Sequence, residues 1–287
     1  MQRLLIIGCG DIGLRAAKLL VTRYRVYALV RDPCQAGKLR AIGVIPITGD
    51  LDQRSTLNRL TGLAQLVLHF APPPSQGTSD SRTRNLLAAL GKTASLPQRL
   101  VYISTSGVYG NCAGALVPET RRINPTNPRA LRRADAESRL RAWVRRSGVA
   151  VSILRVPGIY CASRLPLERL KSGTPALNAE EDGYTNHIHA QDLARVTIAA
   201  LRRGKPCRIY NTSDNSHLKM GDYFDFVADR FGLPRPPRVS WAEAKQRIPE
   251  SLLSFMSESR RLVNKRMKRE LGVKLLYPDV ASGMLQE

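Results

Sequence analysis

The chain has 287 residues, with 45 basic against 23 acidic side chains and a net charge of +22. That length buries a substantial core in one large domain or two modest ones. The five cysteines (Cys9, Cys34, Cys112, Cys161, Cys207) form no CxxC pair or zinc-like spacing, so neither a disulfide framework nor a metal site is expected.

The first half alternates short apolar runs with helical patterns. "RLLIIG" at 3–8 is read as a buried strand, not as a leader. An amphipathic stretch follows from Asp11 to about Leu20. "GCGDIG" at 8–13 links the two. In such a loop Gly8 permits the tight turn, Gly10 lets backbone approach a pyrophosphate, and Gly13 allows close helix–sheet packing. The helix N-terminus, with Asp11 and Ile12 in its first turn, adds amide donors and a positive field for phosphate oxygens. The strand–turn–helix context turns a weak motif into a strong one.

"RVYALV" at 25–30 is the second strand, and it ends in "LVRDP". A carboxylate here binds the ribose 2′-hydroxyl of NAD, whereas an arginine accommodates the 2′-phosphate of NADP. Arg31 favours NADP because its planar fork donates paired hydrogen bonds, and Asp32 keeps NAD open. A short helix near 34–41 leads to "VIPI" at 44–47 and then "GDLDQ" at 49–53. Asp50 and Leu51 would lie beside adenine, while Asp50 also suits the N-cap of the next helical stretch. The strand "LVLHFA" at 66–71 would place Phe70 and Ala71 along the cofactor ribose, with His69 structural. A helix near 80–92 precedes "RLVYIS" at 99–104. Strands apolar on both faces, alternating with helices, predict a doubly wound parallel α/β sheet of Rossmann type.

"STSGVYG" at 104–110 closes the fifth strand with three hydroxyl side chains, a tyrosine and a glycine. Thr105 sits at the carboxyl edge of a parallel strand, where open α/β sheets place their ligands. Asn127 and Pro128 then start a helix that runs to about Arg146 and ends at Gly148. "AVSILR" at 150–155 is another strand, and "VPGIYCASRLP" loses periodicity. "NHIHAQDLARVTIAALRRG" is helical, "CRIYNTS" at 207–213 is a strand, and the tail from about 218 is helical with proline breaks. The expected organisation is a dinucleotide-binding domain over 1–156, to which 187–213 returns. Residues 157–186 and 214–287 would form a small, mainly helical substrate lobe.

With these pieces placed, the chain resembles the extended and atypical short-chain dehydrogenase/reductases, the NAD-dependent epimerase/dehydratase superfamily. The stretches that carry the resemblance are "GCGDIG", "VRDP", "GDL", "YISTSGVYG", "LRVPGIY" and "NHIHAQDLA". The tail "SRRLVNKRMKRELGVKLLYPD" looks like that of a small atypical subgroup. The resemblance implies a Ser/Thr, a Tyr and a Lys acting together. The tyrosine would move a proton, the lysine would lower its pKa and bind ribose, and the hydroxyl would hold the reacting oxygen. Thr105 matches that hydroxyl, and Tyr109 is a candidate proton carrier.

The departure lies on the next helix, "NPRALRRADAESRLRAW". Alignment on Glu137 puts Arg133 at the lysine position and Arg129 at the tyrosine position. None of the nine tyrosines has lysine four residues later, so the chain contains no YxxxK pair. Arg133 keeps a charge for ribose or phosphate, but a guanidinium at Arg129 cannot donate a proton at useful pH. Three readings stay open: a proton from Tyr109, Tyr160, Tyr184 or His189; hydride transfer with protons from water; or cofactor binding without turnover, as in a redox sensor.

The expected activity is therefore NAD(P)-dependent oxidoreduction, or epimerase/dehydratase-type chemistry on a small or sugar-like substrate, with NADP favoured over NAD. The +22 charge points to an anionic partner. Its spread along the chain, without a nucleic-acid motif, favours a small anionic substrate over a duplex. The resemblance also implies a homodimer through the Arg-rich helix and the one before it. No apolar run approaches the roughly 20 residues of a membrane helix, and scattered thiols suit a reducing compartment, so a cytoplasmic protein without membrane contact is expected.

Overall fold

The computed structural model describes residues 1–284. Seven strands build one parallel sheet: β1 (Arg3–Ile7), β2 (Arg25–Val30), β3 (Ile45–Thr48), β4 (Leu66–His69), β5 (Arg99–Thr105), β6 (Ala150–Val156) and β7 (Arg208–Asn211). Their spatial order is β7-β6-β5-β4-β1-β2-β3, and every neighbouring pair is parallel. The chain reverses direction across the sheet between β1 and β4, and ligands of open α/β sheets sit outside the carboxyl ends of the strands at such a point.

The period-two alternation of β1 divides the core. Leu4 and Ile6 face a layer containing Ala16, Leu20, Leu193 and Val196, from α1 (Asp11–Leu20) and α6 (Ala190–Arg203). Leu5 and Ile7 face Leu86, Leu90, Leu140 and Trp143, from α3 (Ser81–Leu90) and α4 (Pro128–Ser147). Leu4 to Ile7 are all fully buried, which is why this strand reads as an unbroken apolar run. Two shorter helices complete the numbering used below, α2 (Ala36–Ala41) and α5 (Leu167–Lys171).

Helix α4 begins as its sequence predicts. The Asn127 side chain accepts from the Ala130 amide at 2.9 Å, and Gly148 ends the helix with φ 70°. Two expectations change. A 3-10 helix (Arg54–Leu60) stands between β3 and β4. The segment from Asn186 is not helical throughout: His187–His189 is a strand paired in parallel with Gly158–Tyr160, and α6 starts at Ala190. His189 caps α6, its Nδ1 accepting from the Gln191 amide at 3.2 Å.

Among the residues assigned from sequence to the small lobe, Tyr223, Phe224 and Val227 of α7 (Met220–Arg230) pack with Tyr160 and Leu170. Met267 and Leu271, by contrast, lie in the sheet core beside α6. The strand Arg261–Leu262 also returns to pair with Leu116–Val117.

Candidate functional site

The carboxyl ends of β1, β2, β3 and β4 surround a cleft of about 530 Å³. Gly8 adopts φ +87°, and a Cβ there would lie 2.4 Å from the Ala71 nitrogen. The loop is drawn against β4 because the Phe70 and Ala71 amides both donate to the Ile7 carbonyl, at 2.8 and 3.0 Å. A Cβ on Gly13 would meet the Gly8 carbonyl oxygen at 2.7 Å, so glycine sets how closely α1 approaches the sheet. At Gly10, which lines the cleft, an added Cβ meets nothing within 4 Å. That open backbone at the start of a ten-residue helix suits a phosphate group.

Asp11, Ile12, Arg31, Asp50, Leu51, Phe70, Ala71 and Arg133 all line this cleft with the three glycines, so one space gathers every cofactor contact expected from sequence. Arg31 is exposed and makes no hydrogen bond or ion pair among the described residues. Asp32 instead turns its carboxylate to accept from the Cys34 amide at 2.9 Å, capping the short 3-10 helix Pro33–Gln35. Asp50 accepts from the Asp52 amide at 2.9 Å, closing its own turn; the cap of the following helix is Gln53. Asp11 is bracketed by Arg15 at 2.8 Å and Arg164 at 3.0 Å, so its charge is offset at the mouth of the phosphate loop. Sequence reasoning did not bring Arg82 here. It lines the cleft, clamps Asp52 through two hydrogen bonds of 2.8 and 2.6 Å, and donates to the Pro72 carbonyl at 3.2 Å.

A second cleft of about 540 Å³ adjoins the first, sharing Pro72, Arg82, Ile103, Arg133 and Ile159. Thr105 lines it, and its Oγ1 accepts from the Gly107 amide at 3.2 Å. Arg129 and Arg132 line it too.

Residues 8–203 match the NAD(P)H-binding family. The chain belongs to that family. Its relatives lie in the NAD-dependent epimerase/dehydratase superfamily. A trifunctional UDP-glucose 4,6-dehydratase/UDP-4-keto-6-deoxy-D-glucose 3,5-epimerase/UDP-4-keto-L-rhamnose-reductase of Arabidopsis thaliana is 24% identical over 84% of the chain, which spans only 41% of that enzyme. Protein YeeZ of Escherichia coli is 24% identical, with 97% of each chain covered. A solved structure of a conserved Silicibacter pomeroyi protein of unknown function is 28% identical, has a TM-score of 0.83, and covers 99% of this chain and 96% of its own.

Within this NAD(P)H-binding fold the candidate proton carriers are not gathered at Thr105. Tyr109 is 1% exposed; its hydroxyl donates to Asn211 Oδ1 at 2.8 Å, and the Arg155 guanidinium stacks 4.6 Å from its ring. Burial, the leading cause, raises its pKa. The structure therefore gives Tyr109 a packing role and does not bring it to either cleft. Tyr160 donates to the Asp279 carbonyl at 2.9 Å, and the Tyr184 ring carries Arg261 at 4.8 Å. His189 packs against Tyr277 in a tilted pair, 3.9 Å between ring centres. Asp192, from the same stretch, accepts from the Leu276 and Tyr277 amides at 2.9 and 2.8 Å and so pins the C-terminal segment. None of these four candidates lines either cleft.

Arg133 lines both clefts, while its Nη1 donates to the Ile103 carbonyl at 2.8 Å and the Tyr102 hydroxyl at 3.0 Å. His69 behind it is neutral, its pKa pushed down to about 3 by burial and then by the Arg133 charge. Glu137 is fully buried and binds Arg155 at 3.0 and 2.6 Å while accepting from Ser104 at 2.7 Å. This network ties α4 to β5 and β6 and so holds the strand end from which Thr105 projects.

Proposed function

We propose that the chain is an NADP(H)-dependent oxidoreductase of the epimerase/dehydratase superfamily acting on a small or sugar-like substrate. The observation that carries this reading is the continuity of the phosphate-loop cleft with a second cleft lined by Thr105. In this reading Gly8, Gly10 and Gly13 let the α1 amides hold a pyrophosphate, and Asp11 and Ile12 frame it. Asp50 and Leu51 flank adenine, Phe70 and Ala71 follow the ribose, and Arg133 faces the nicotinamide ribose. Arg31 takes the 2′-phosphate, supported by its lack of a partner and by the commitment of Asp32 to the Cys34 amide.

A bound nicotinamide would supply or accept a hydride. Thr105 would orient the reacting oxygen with its hydroxyl. Among the described residues, the side chains lining the second cleft include no histidine, cysteine or carboxylate, which favours proton exchange with water. Sugar-nucleotide chemistry in the Arabidopsis relative's name makes that substrate class a starting point for screens. Pairing through α3 and α4 into a homodimer, a small lobe built around 157–186 and 214–287, and a cytoplasmic location belong to the same proposal. Among the described residues no helix is long and apolar enough to cross a membrane.

A second reading, a dinucleotide-binding redox sensor, is favoured by the arginines at the tyrosine and lysine positions. Calorimetric titration with NADP+, NADPH, NAD+ and NADH separates the cases. Tight binding of both NADP forms with weak NAD forms supports the proposal, and turnover lost in Thr105→Ala completes it. A large NADPH/NADP+ difference without turnover in substrate screens favours the sensor. Absence of binding by all four dinucleotides removes both.

A further inference from the structure

The second cleft has a charge pattern that the dinucleotide does not account for. Its lining includes Arg82, Arg129, Arg132 and Arg133 and, among the described residues, no carboxylate. Arg82 is neutralised by Asp52 at 2.6 Å, but the other three form no ion pair among the described residues. They occupy positions i, i+3 and i+4 in the first turns of α4, whose first turn holds no acidic residue. Helix N-termini carry positive partial charge and favour anions, and like charges at these spacings repel. Three cations are thus set where the backbone and one another disfavour them.

The surroundings offer little relief. Glu258, whose charge acts on Arg129, is already bound to Arg260 at 2.7 Å and accepts from Asn127 at 2.9 Å. Asp135, further along α4, pairs with Arg139 at 2.7 Å. Arg129 is held in place by stacking 3.7 Å from the centre of the Phe255 ring. Arg132 is 8% exposed and anchored through Nη1 to the Gly77 carbonyl at 2.6 Å. Burial, reinforced by Arg260, Arg132 and Arg133, lowers the pKa of Arg129 against the opposing pull of Glu258. The guanidiniums are preorganised and, among the described residues, form no ion pair of their own.

We infer that Arg129 and Arg132 form an anion subsite beside Thr105, which selects substrates bearing a carboxylate or phosphate group next to the reacting carbon. The planar guanidinium fork matches either anion with paired hydrogen bonds. The inference rests on the cofactor reading above, because the adjoining cleft must be filled by dinucleotide for this subsite to face a hydride donor. It gives a purpose to the loss of the tyrosine: the position taken by Arg129 holds substrate charge and no longer moves a proton.

The test uses the full chain saturated with NADPH, so that Arg31 and the phosphate loop are already occupied. Inorganic phosphate, malonate and neutral glycerol are titrated separately, read by calorimetry and by the fluorescence of bound NADPH. The expected result is saturable binding of phosphate, malonate or both, with none for glycerol; the tighter anion names the head group. Arg129→Gln should weaken that binding at least tenfold and Arg129→Lys less so, with NADPH affinity unchanged within twofold. Arg132→Gln serves if the first variant does not fold. NADPH binding with no saturable anion binding, or anion binding indifferent to both arginines, overturns the inference and leaves the cofactor reading standing. Failure of NADPH itself to bind overturns both.

Discussion

Replacing Arg31 by glutamine tests the choice of cofactor. The side chain is exposed at the cleft rim and makes no hydrogen bond or ion pair among the described residues; it acts only through space on Asp52, so its removal leaves no buried charge. The neighbouring Asp32 keeps its bond to the Cys34 amide, so the loop retains its cap. A hydrogen bond to a charged group contributes about 1.5–3 kcal/mol. Solvent screening of an exposed guanidinium argues for the lower end, about 1.5 kcal/mol, or roughly a tenfold change in affinity. Arg31→Gln should therefore raise the Kd for NADPH about tenfold and leave that for NADH within about twofold. The assay is fluorescence titration of both reduced dinucleotides at two ionic strengths, and the NADPH penalty should shrink at the higher one. An equal loss for both dinucleotides would place Arg31 on a part that they share. No loss for either would refute the reasoning outright.

Three further substitutions probe the scaffold. Gly13→Ala forces a Cβ to within 2.7 Å of the Gly8 carbonyl. It should cost about 1–3 kcal/mol of stability and weaken both dinucleotides together, as calorimetry and urea unfolding would report. Glu137→Gln leaves Arg155 buried without its counter-charge and should cost about 3–5 kcal/mol in urea unfolding; a loss below about 1 kcal/mol would contradict the packing described. Asp214 is pushed up to about 7 by burial, from the ordinary carboxyl value of 3.8, and so disfavours the folded state progressively as pH rises from about 4 to 7. His69 and His187, pushed down to about 3 by burial, act oppositely: their contribution is complete above about 6.5 and is lost as pH falls toward 3. Asp214→Asn should therefore raise Tm above pH 7 and lose that advantage near pH 4, and a Tm difference independent of pH would contradict the burial argument.

The two halves of the site differ in how far the sequence could reveal them, and the reason is locality. The residues proposed to contact the cofactor sit at strand ends, each within a few residues of an apolar run that announces its strand. Gly8 to Gly13, Arg31, Asp50, Leu51, Phe70 and Ala71 could thus be placed one after another, and one cleft gathers them. Parallel strands buried on both faces write themselves as unbroken apolar runs, so strand boundaries moved by only a residue or two. The three-residue strand His187–His189 gave no such signal, because a single apolar side chain, Ile188, sits between two histidines and its partner Gly158–Tyr160 is equally short.

The second cleft depends on contacts distant in sequence. Arg82 is held there by Asp52, 30 residues earlier, and by the Pro72 carbonyl, and Arg164 reaches the glycine-rich loop of the first cleft through Asp11. Tyr109 shows the opposite error. "STSGVYG" reads as one catalytic stretch, yet β5 ends at Thr105 and a 3-10 turn over Ser106–Tyr109 carries the tyrosine into the protein beneath Arg155. Strand alternation no longer governs direction once the chain turns, so adjacency to Thr105 could not establish a shared site. The arginines of α4 follow the same logic in reverse. As a sequence they form a charged helix like many others. Only the packing of that helix across β5 puts Arg129, Arg132 and Arg133 on one wall with Thr105, where their charge becomes a question about substrate.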